Sequence, residues 1–141
     1  MISLAACGKP DAPEIPDLNI SSAVDVSYKQ MKITAEVKTD ENGTLKAVIE
    51  SPDSLDGVSV ICDENGITAV CGEVEIKSGK GYYPFAYLYD ALKKAKTTEP
   101  ASVEKNGDRI KFIYDGFVIE TDEQTNKIKR IETEYCDYEV T

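Results

Sequence analysis

Apolar and polar residues alternate along most of this chain, and that period of two predicts strands. Over 24–38, Met31, Ile33, Ala35 and Val37 fall on one face and Lys32, Thr34, Glu36 and Lys38 on the other, the pattern of a half-buried strand. Asp40-Glu41-Asn42-Gly43 reads as a turn, after which Leu45, Ala47 and Ile49 alternate with Lys46, Val48 and Glu50. A loop of Glu41-Asn42-Gly43 pairs Val37 with Ala47 and Ala35 with Ile49, so both apolar faces lie on one side. Ser51-Pro52-Asp53-Ser54-Leu55-Asp56-Gly57 then interrupts the ladder, because proline donates no hydrogen bond. Around the repeated Asp63-Glu64-Asn65-Gly66, a second hairpin is expected to pair Val60 with Val70 and Ile61 with Ala69. Both faces of its first strand are then apolar, as in a strand covered on both sides. A further strand over 73–77 points Val74 and Ile76 inward.

The period changes after Ser78-Gly79-Lys80-Gly81. From Pro84, a residue suited to a first helical position, Phe85, Leu88, Tyr89, Leu92 and Ala95 recur at three and four residues, with Asp90, Lys93, Lys94 and Lys96 on the other side. This spacing predicts an amphipathic helix. Strand patterning then returns, with Asn106-Gly107 and Asp115-Gly116 as hairpin turns. The first turn pairs Val103 with Ile110 and Ala101 with Phe112; the second pairs Tyr114 with Phe117 and Phe112 with Ile119. A turn near 122–126 leads into a last strand over 127–140, whose Glu132, Glu134, Asp137 and Glu139 suit an edge. Together these elements predict an α+β fold: a curved antiparallel sheet, a half-barrel of about eight or nine strands, with the helix packed on its concave face.

Composition narrows the function. The chain has 141 residues, 41% hydrophobic and 30% charged, which suits one domain with one core. No apolar run approaches the roughly 20 residues of a spanning helix. A net charge of −10 argues against nucleic acid, whose phosphates would be repelled. There is no histidine, which removes Ser-His-Asp and Cys-His catalysis and imidazole metal sites. Cys62, Cys71 and Cys136 lack CxxC spacing, and read as small buried apolar side chains or as one disulfide with a leftover thiol. Cys62 and Cys71 are expected on opposite faces of their hairpin. Neither Asp-Glu-Asn-Gly segment has the ligand spacing of a calcium loop, so both read as turns. Glu132, Glu134 and Asp137 read as a solvated face rather than an acid pair. No catalytic residue, metal ligand or cofactor is expected, and the chain reads as no enzyme.

The N-terminal stretch bears on location. Leu4-Ala5-Ala6-Cys7 resembles a bacterial lipobox, in which the cysteine takes a diacylglyceryl group and the leader before it is removed. Pro10, Pro13 and Pro16 follow in a polar run with the composition of an extended spacer. The six residues before Cys7 include no basic residue, short of the n-region and apolar stretch of a signal peptide. Two readings stand: a start inside a longer leader, or a cytosolic tail. On the first, residues 1–6 are a leader remnant, 7–21 a lipid-anchored linker and 22–141 the folded domain. The expected partner is then a cell membrane, reached through lipid on Cys7, with the domain facing outward.

A lipidated cysteine, a spacer, an antiparallel meander, one inserted helix and a return of hairpins resemble the bacterial lipoprotein-carrier (LolA-like) fold over 22–140. Ser51-Pro52-Asp53-Ser54-Leu55-Asp56-Gly57 and Tyr83-Pro84-Phe85 are its nearest local marks. Absent is the opening amphipathic helix of such carriers, since 17–23 is short and polar. The resemblance implies a curved half-barrel, plugged by helix, that binds acyl chains or serves as an envelope sensor. Tyr82, Tyr83, Phe85, Tyr87 and Tyr89 form an amphipathic aromatic segment of the kind that lines apolar pockets. Any cavity should be lined by Tyr83, Phe85, Leu88, Tyr89 and Leu92 of the helix segment and by Ile33, Ala35, Ile49, Phe112 and Ile119 of the sheet. The bland alternative is that these residues fill the space between helix and sheet as ordinary core. The leading expectation is an anchored lipoprotein carrying a lipid or other apolar molecule; its rival is an envelope adaptor or sensor that holds another protein and has no cavity.

Overall fold

The computed structural model describes residues 16–78 and 84–141, with backbone only at 74 and 76–78. Eleven strands form one open sheet in which every neighbouring pair is antiparallel. They are β1 (Ser21–Tyr28), β2 (Met31–Thr39), β3 (Leu45–Ser51), β4 (Ser59–Asp63), β5 (Gly66–Cys71), β6 (Val74–Ser78), β7 (Ser102–Asn106), β8 (Arg109–Tyr114), β9 (Phe117–Asp122), β10 (Ile128–Thr133) and β11 (Cys136–Val140). One helix, α1 (Pro84–Thr97), stands between β6 and β7.

The sheet order, β6-β5-β4-β3-β2-β1-β11-β10-β9-β8-β7, shows how the chain closes on itself. The first six strands step outward from β1 to one edge, the helix carries the chain to the opposite edge, and the last five step back until β11 pairs with β1. The helix touches β3 and β4 on one flank and β10 on the other. Four strand spacings, about 19 Å, separate β3 from β10. A helix about 10–12 Å across meets both only because the sheet bends around it. No helix among the described residues is long and apolar enough to cross a membrane.

The expected elements are present, with several differences. Two strands that read as single each divide in two, which raises the count from about nine to eleven. The 24–38 stretch folds back at Lys29-Gln30, where Lys29 takes a left-handed φ of 56°. The 127–140 stretch folds back where the Thr133 hydroxyl accepts the N–H groups of Tyr135 and Cys136, at 3.3 and 3.0 Å. Neither turn contains a glycine or proline to announce it. The last strand is not an edge: β10 and β11 lie inside the sheet, and the edges are β6 and β7. The acidic residues of β10 and β11 face solvent on the convex side, where Arg130 donates a forked pair of hydrogen bonds to Asp137 and another to Glu132. Folding also begins before residue 22, since Asp17 bridges to Lys127 and Ile20 is buried.

Hairpin registers follow the glycines. Val37↔Ala47 and Ala35↔Ile49 hold in β2–β3, and Tyr114↔Phe117 and Phe112↔Ile119 hold in β8–β9. In β4–β5 the turn is tighter than expected: Asp63 pairs with Gly66, so Val60 meets Ala69 and Cys62 meets Ile67. The expected register would set the Asp63 carboxylate opposite Ile67, whereas the observed one buries Val60, Cys62 and Ile67 together. Cys62 and Cys71 therefore share a face but stand four positions apart along the ladder, about 13 Å, and among the described residues no disulfide joins Cys62, Cys71 or Cys136. In β7–β8 the turn moves on to Gly107-Asp108, pairing Val103 with Phe112 and Lys105 with Ile110. Only Gly107 there takes a positive φ, 66°, as a turn with glycine at its first central position requires and as Asn106 avoids.

One apolar cluster joins the inward faces of both flanks to Phe85, Ala86, Leu88, Tyr89, Ala91, Leu92 and Ala95 of α1. Pro84 opens the helix, and Lys94 and Lys96 in its last turn oppose the negative end of its dipole. Tyr138, fully buried on β11, donates a hydrogen bond from its hydroxyl to the Pro84 carbonyl and so ties the helix start to the middle of the sheet. Burial, and then Cys136, push the Tyr138 hydroxyl far above the usual tyrosine range; burial pushes Tyr89 and Tyr114 up as well.

Two outcomes follow. In urea denaturation, Phe112→Ala should cost about 3–5 kcal/mol through the cavity it leaves, whereas Val103→Ala on the exposed β7 edge should change stability by no more than about 0.5 kcal/mol. Tyr138→Phe should cost about 1–3 kcal/mol by leaving the buried Pro84 carbonyl without this donor. The folded chain keeps the Tyr138 proton above pH 10.0, where an unfolded tyrosine releases it. Stability should thus be complete below that pH and fall as pH rises beyond it, by up to about 1.4 kcal/mol per pH unit for each such tyrosine. Alkaline titration of circular dichroism should show a shallower loss for Tyr138→Phe than for the parent.

Candidate functional site

Alternation on the strands and a spacing of three and four on the helix turn the same class of side chain toward one interior. Ile33, Ala35, Ile49, Phe112 and Ile119 face it from the sheet, and Phe85, Leu88, Tyr89 and Leu92 from the helix. These nine residues, all expected to line a cavity, meet in one cluster at 0–5% exposure. At that exposure they border almost no space large enough for a water molecule. Tyr83 lies outside the described residues, as do Tyr82 and Cys7.

The interior is apolar with few exceptions. Thr121, fully buried on β9, and Tyr114, on β8, turn inward by the same alternation as Ile119 and Phe112. Among the described residues, the Thr121 Oγ1 and the Tyr114 hydroxyl have no hydrogen-bond partner. Each such atom costs about 1–3 kcal/mol unless water or a ligand atom satisfies it.

Among the described residues, openings lead to the helix from solvent at several places, one of them a hollow of about 300 Å³ beside Leu18, Ala95, Lys96 and Thr97. At its C-terminal end, a cleft of about 200 Å³ runs between Leu18, the β2–β3 turn at Asn42 and Gly43, Glu64, and the helix residues Tyr89, Leu92, Lys93 and Lys96. Two of the residues expected at a ligand site, Tyr89 and Leu92, thus reach an opening. Another, about 190 Å³, lies between Asp90, Lys94, Phe117 and Tyr135. Tyr87 stands beside it, its ring 4.9 Å from that of Tyr135 and 6.2 Å from that of Tyr28. Burial, then the neighbouring tyrosines, raise the Tyr87 hydroxyl above its usual range. A larger groove of about 430 Å³ on the convex face, walled by Asp25, Ser27, Lys32, Thr34, Asp137 and Glu139, is a trough between strand side chains.

Sequence reasoning missed Leu18, Gly43, Lys93 and Lys96 as site residues. By sequence Leu18 falls in the expected linker, Gly43 in a turn and the lysines on the polar helix face; no local signal brings three such distant segments to one cleft. Among the described residues no group of histidine, cysteine, aspartate and glutamate side chains could hold a metal ion.

No protein-family model matches this chain, and no curated protein does. A LolA superfamily protein from Nitrosomonas europaea, known from its crystal structure, is similar at 12% identity over 87% of this chain and 68% of its own, with a TM-score of 0.42. That likeness is too distant to assign the chain to a family.

Proposed function

We propose that this chain is a non-enzymatic envelope lipoprotein, held to the outer side of a cell membrane by lipid on Cys7, whose half-barrel binds an apolar ligand such as an acyl chain. The observation that carries the reading is the cleft at the helix C-terminus, where Leu18, Tyr89 and Leu92 bring the edge of an apolar interior to an opening. The lipobox-like Leu4-Ala5-Ala6-Cys7, the proline-bearing run after it and the lack of histidine support the rest. Energetics favour binding at the mouth over exchange of the whole helix. Exposing Phe85, Leu88, Tyr89 and Leu92 together would cost on the order of 6–12 kcal/mol.

A second reading is favoured by the packing itself. Nine side chains at 0–5% exposure describe a filled interior, which suits an adaptor or sensor that acts through its surface.

Native mass spectrometry of detergent-free protein separates the two. A co-purifying lipid mass is expected of a carrier; a clean apo mass would overturn that reading in favour of the adaptor. Detergent phase partitioning of the gene product tests the anchor: the parent should enter the detergent phase and Cys7→Ser the aqueous phase. Aqueous behaviour of both would remove the membrane from the account.

A further inference from the structure

We infer that the cleft at the helix C-terminus is a headgroup site for a single-chain anionic amphiphile, with Lys93 and Lys96 holding the anion. The inference rests on the carrier reading and adds the chemical class of its ligand.

The placement of the two ammonium groups is the first observation. Lys93 Nζ lies 6.0 Å from the centre of the Tyr89 ring, over a residue of the cleft floor. Lys96 Nζ lies over the β2–β3 turn, 3.0 Å from where a Cβ on residue 43 would stand. That turn is a prepared wall. The Asp40 carboxylate accepts the N–H groups of Asn42 and Thr44, each at 2.9 Å, and Gly43 takes a φ of 84° that a side chain would resist.

Charge is the second observation. In a chain of net charge −10, these two lysines have no ion-pair partner among the described residues. Glu64 lines the cleft, and Asp63 and Asp90 lie near enough to act with it on the Tyr89 hydroxyl, but among the described residues none of these carboxylates is in ion-pair contact with either lysine, so both ammonium groups are left for a ligand anion. Charges elsewhere on the surface are screened over about 8–10 Å of ordinary buffer. Lys96 also opposes the negative end of the helix dipole, but Lys94 does the same from the other side of the helix, beside Phe117 and Tyr135. Only Lys93 and Lys96 share their cleft with Leu18 and Leu92.

The third observation is the polarity gradient. Lysines and Thr97 stand at the rim and Leu18, Tyr89 and Leu92 below, where Tyr89 and Leu92 join the core. An alkyl chain with an anionic head matches that order. A volume near 200 Å³ takes the head and the first methylenes, and leaves the rest of the chain to lie along Leu18.

The test is an NMR titration of the full chain carrying Cys7→Ser with decanoate, decyl maltoside and decyltrimethylammonium, all below their micelle concentrations, and with acetate as the free anion. Decanoate should shift the resonances of Leu18, Tyr89, Leu92 and Lys96 and bind at least tenfold more tightly than the neutral and cationic amphiphiles and than acetate. Lys93→Gln with Lys96→Gln should weaken decanoate at least tenfold; Lys94→Gln, which keeps one lysine's charge off the same helix, should leave it unchanged. Equal binding by all three heads, or equal loss in Lys94→Gln, overturns the headgroup assignment and leaves the carrier reading standing. Acetate binding as tightly as decanoate shows a free-anion site and overturns the amphiphile. Failure of every amphiphile overturns the site together with the carrier reading at this cleft.

Discussion

Burial of one face of a single helix against both flanks of a bent sheet is the constraint on which this structure depends. In chain order the helix stands between β6 and β7, the two edges, so its position bears on where β7 begins and hence on how the last five strands return to β1. Its inward residues also give the concave face its cover. Without Phe85, Leu88, Tyr89 and Leu92, a sheet whose inner face is almost wholly apolar would stand open to water. The hydroxyl of Tyr138 adds direction to a contact that is otherwise nonspecific in angle, because a hydrogen bond to the Pro84 carbonyl fixes where the helix starts over β11.

The same constraint shapes what the interior can do. A core filled to 0–5% exposure leaves no room for a long guest beneath the helix, so access is confined to places where the helix meets turns and the N-terminal segment. The clefts on either flank of the helix differ in chemistry. One has aliphatic side chains under lysines, and the other has aromatic rings beside Asp90 and Lys94. On β10 and β11 the convex side is polar and knitted by the Arg130 fork.

Much of this was legible in the residues. The helix and its inward face follow from Phe85, Leu88, Tyr89, Leu92 and Ala95, and the β2–β3 and β8–β9 registers follow from glycine turns flanked by matched apolar faces. What escaped was set by tertiary energetics or by turns without signals. Lys29 occupies a left-handed conformation that a non-glycine residue seldom announces. The β4–β5 register depends on keeping Asp63 away from Ile67, a choice between two turns that the repeated Asp-Glu-Asn-Gly leaves equal. Acidic residues on the last strands signal solvent on one face, which suits an edge equally well; the helix crossover instead places β11 beside β1. The cleft was invisible because Leu18, Gly43 and Lys96 are brought together only by the finished sheet.

Native-state hydrogen exchange tests the central claim most directly. If the helix is the keystone of the sheet, the amides of Leu88, Ala91 and Leu92 should exchange only through global unfolding, with the same opening free energy as those of Ala35 and Ile119. Exchange of the helix amides through a separate, lower-energy opening while Ala35 and Ile119 stay protected would contradict it.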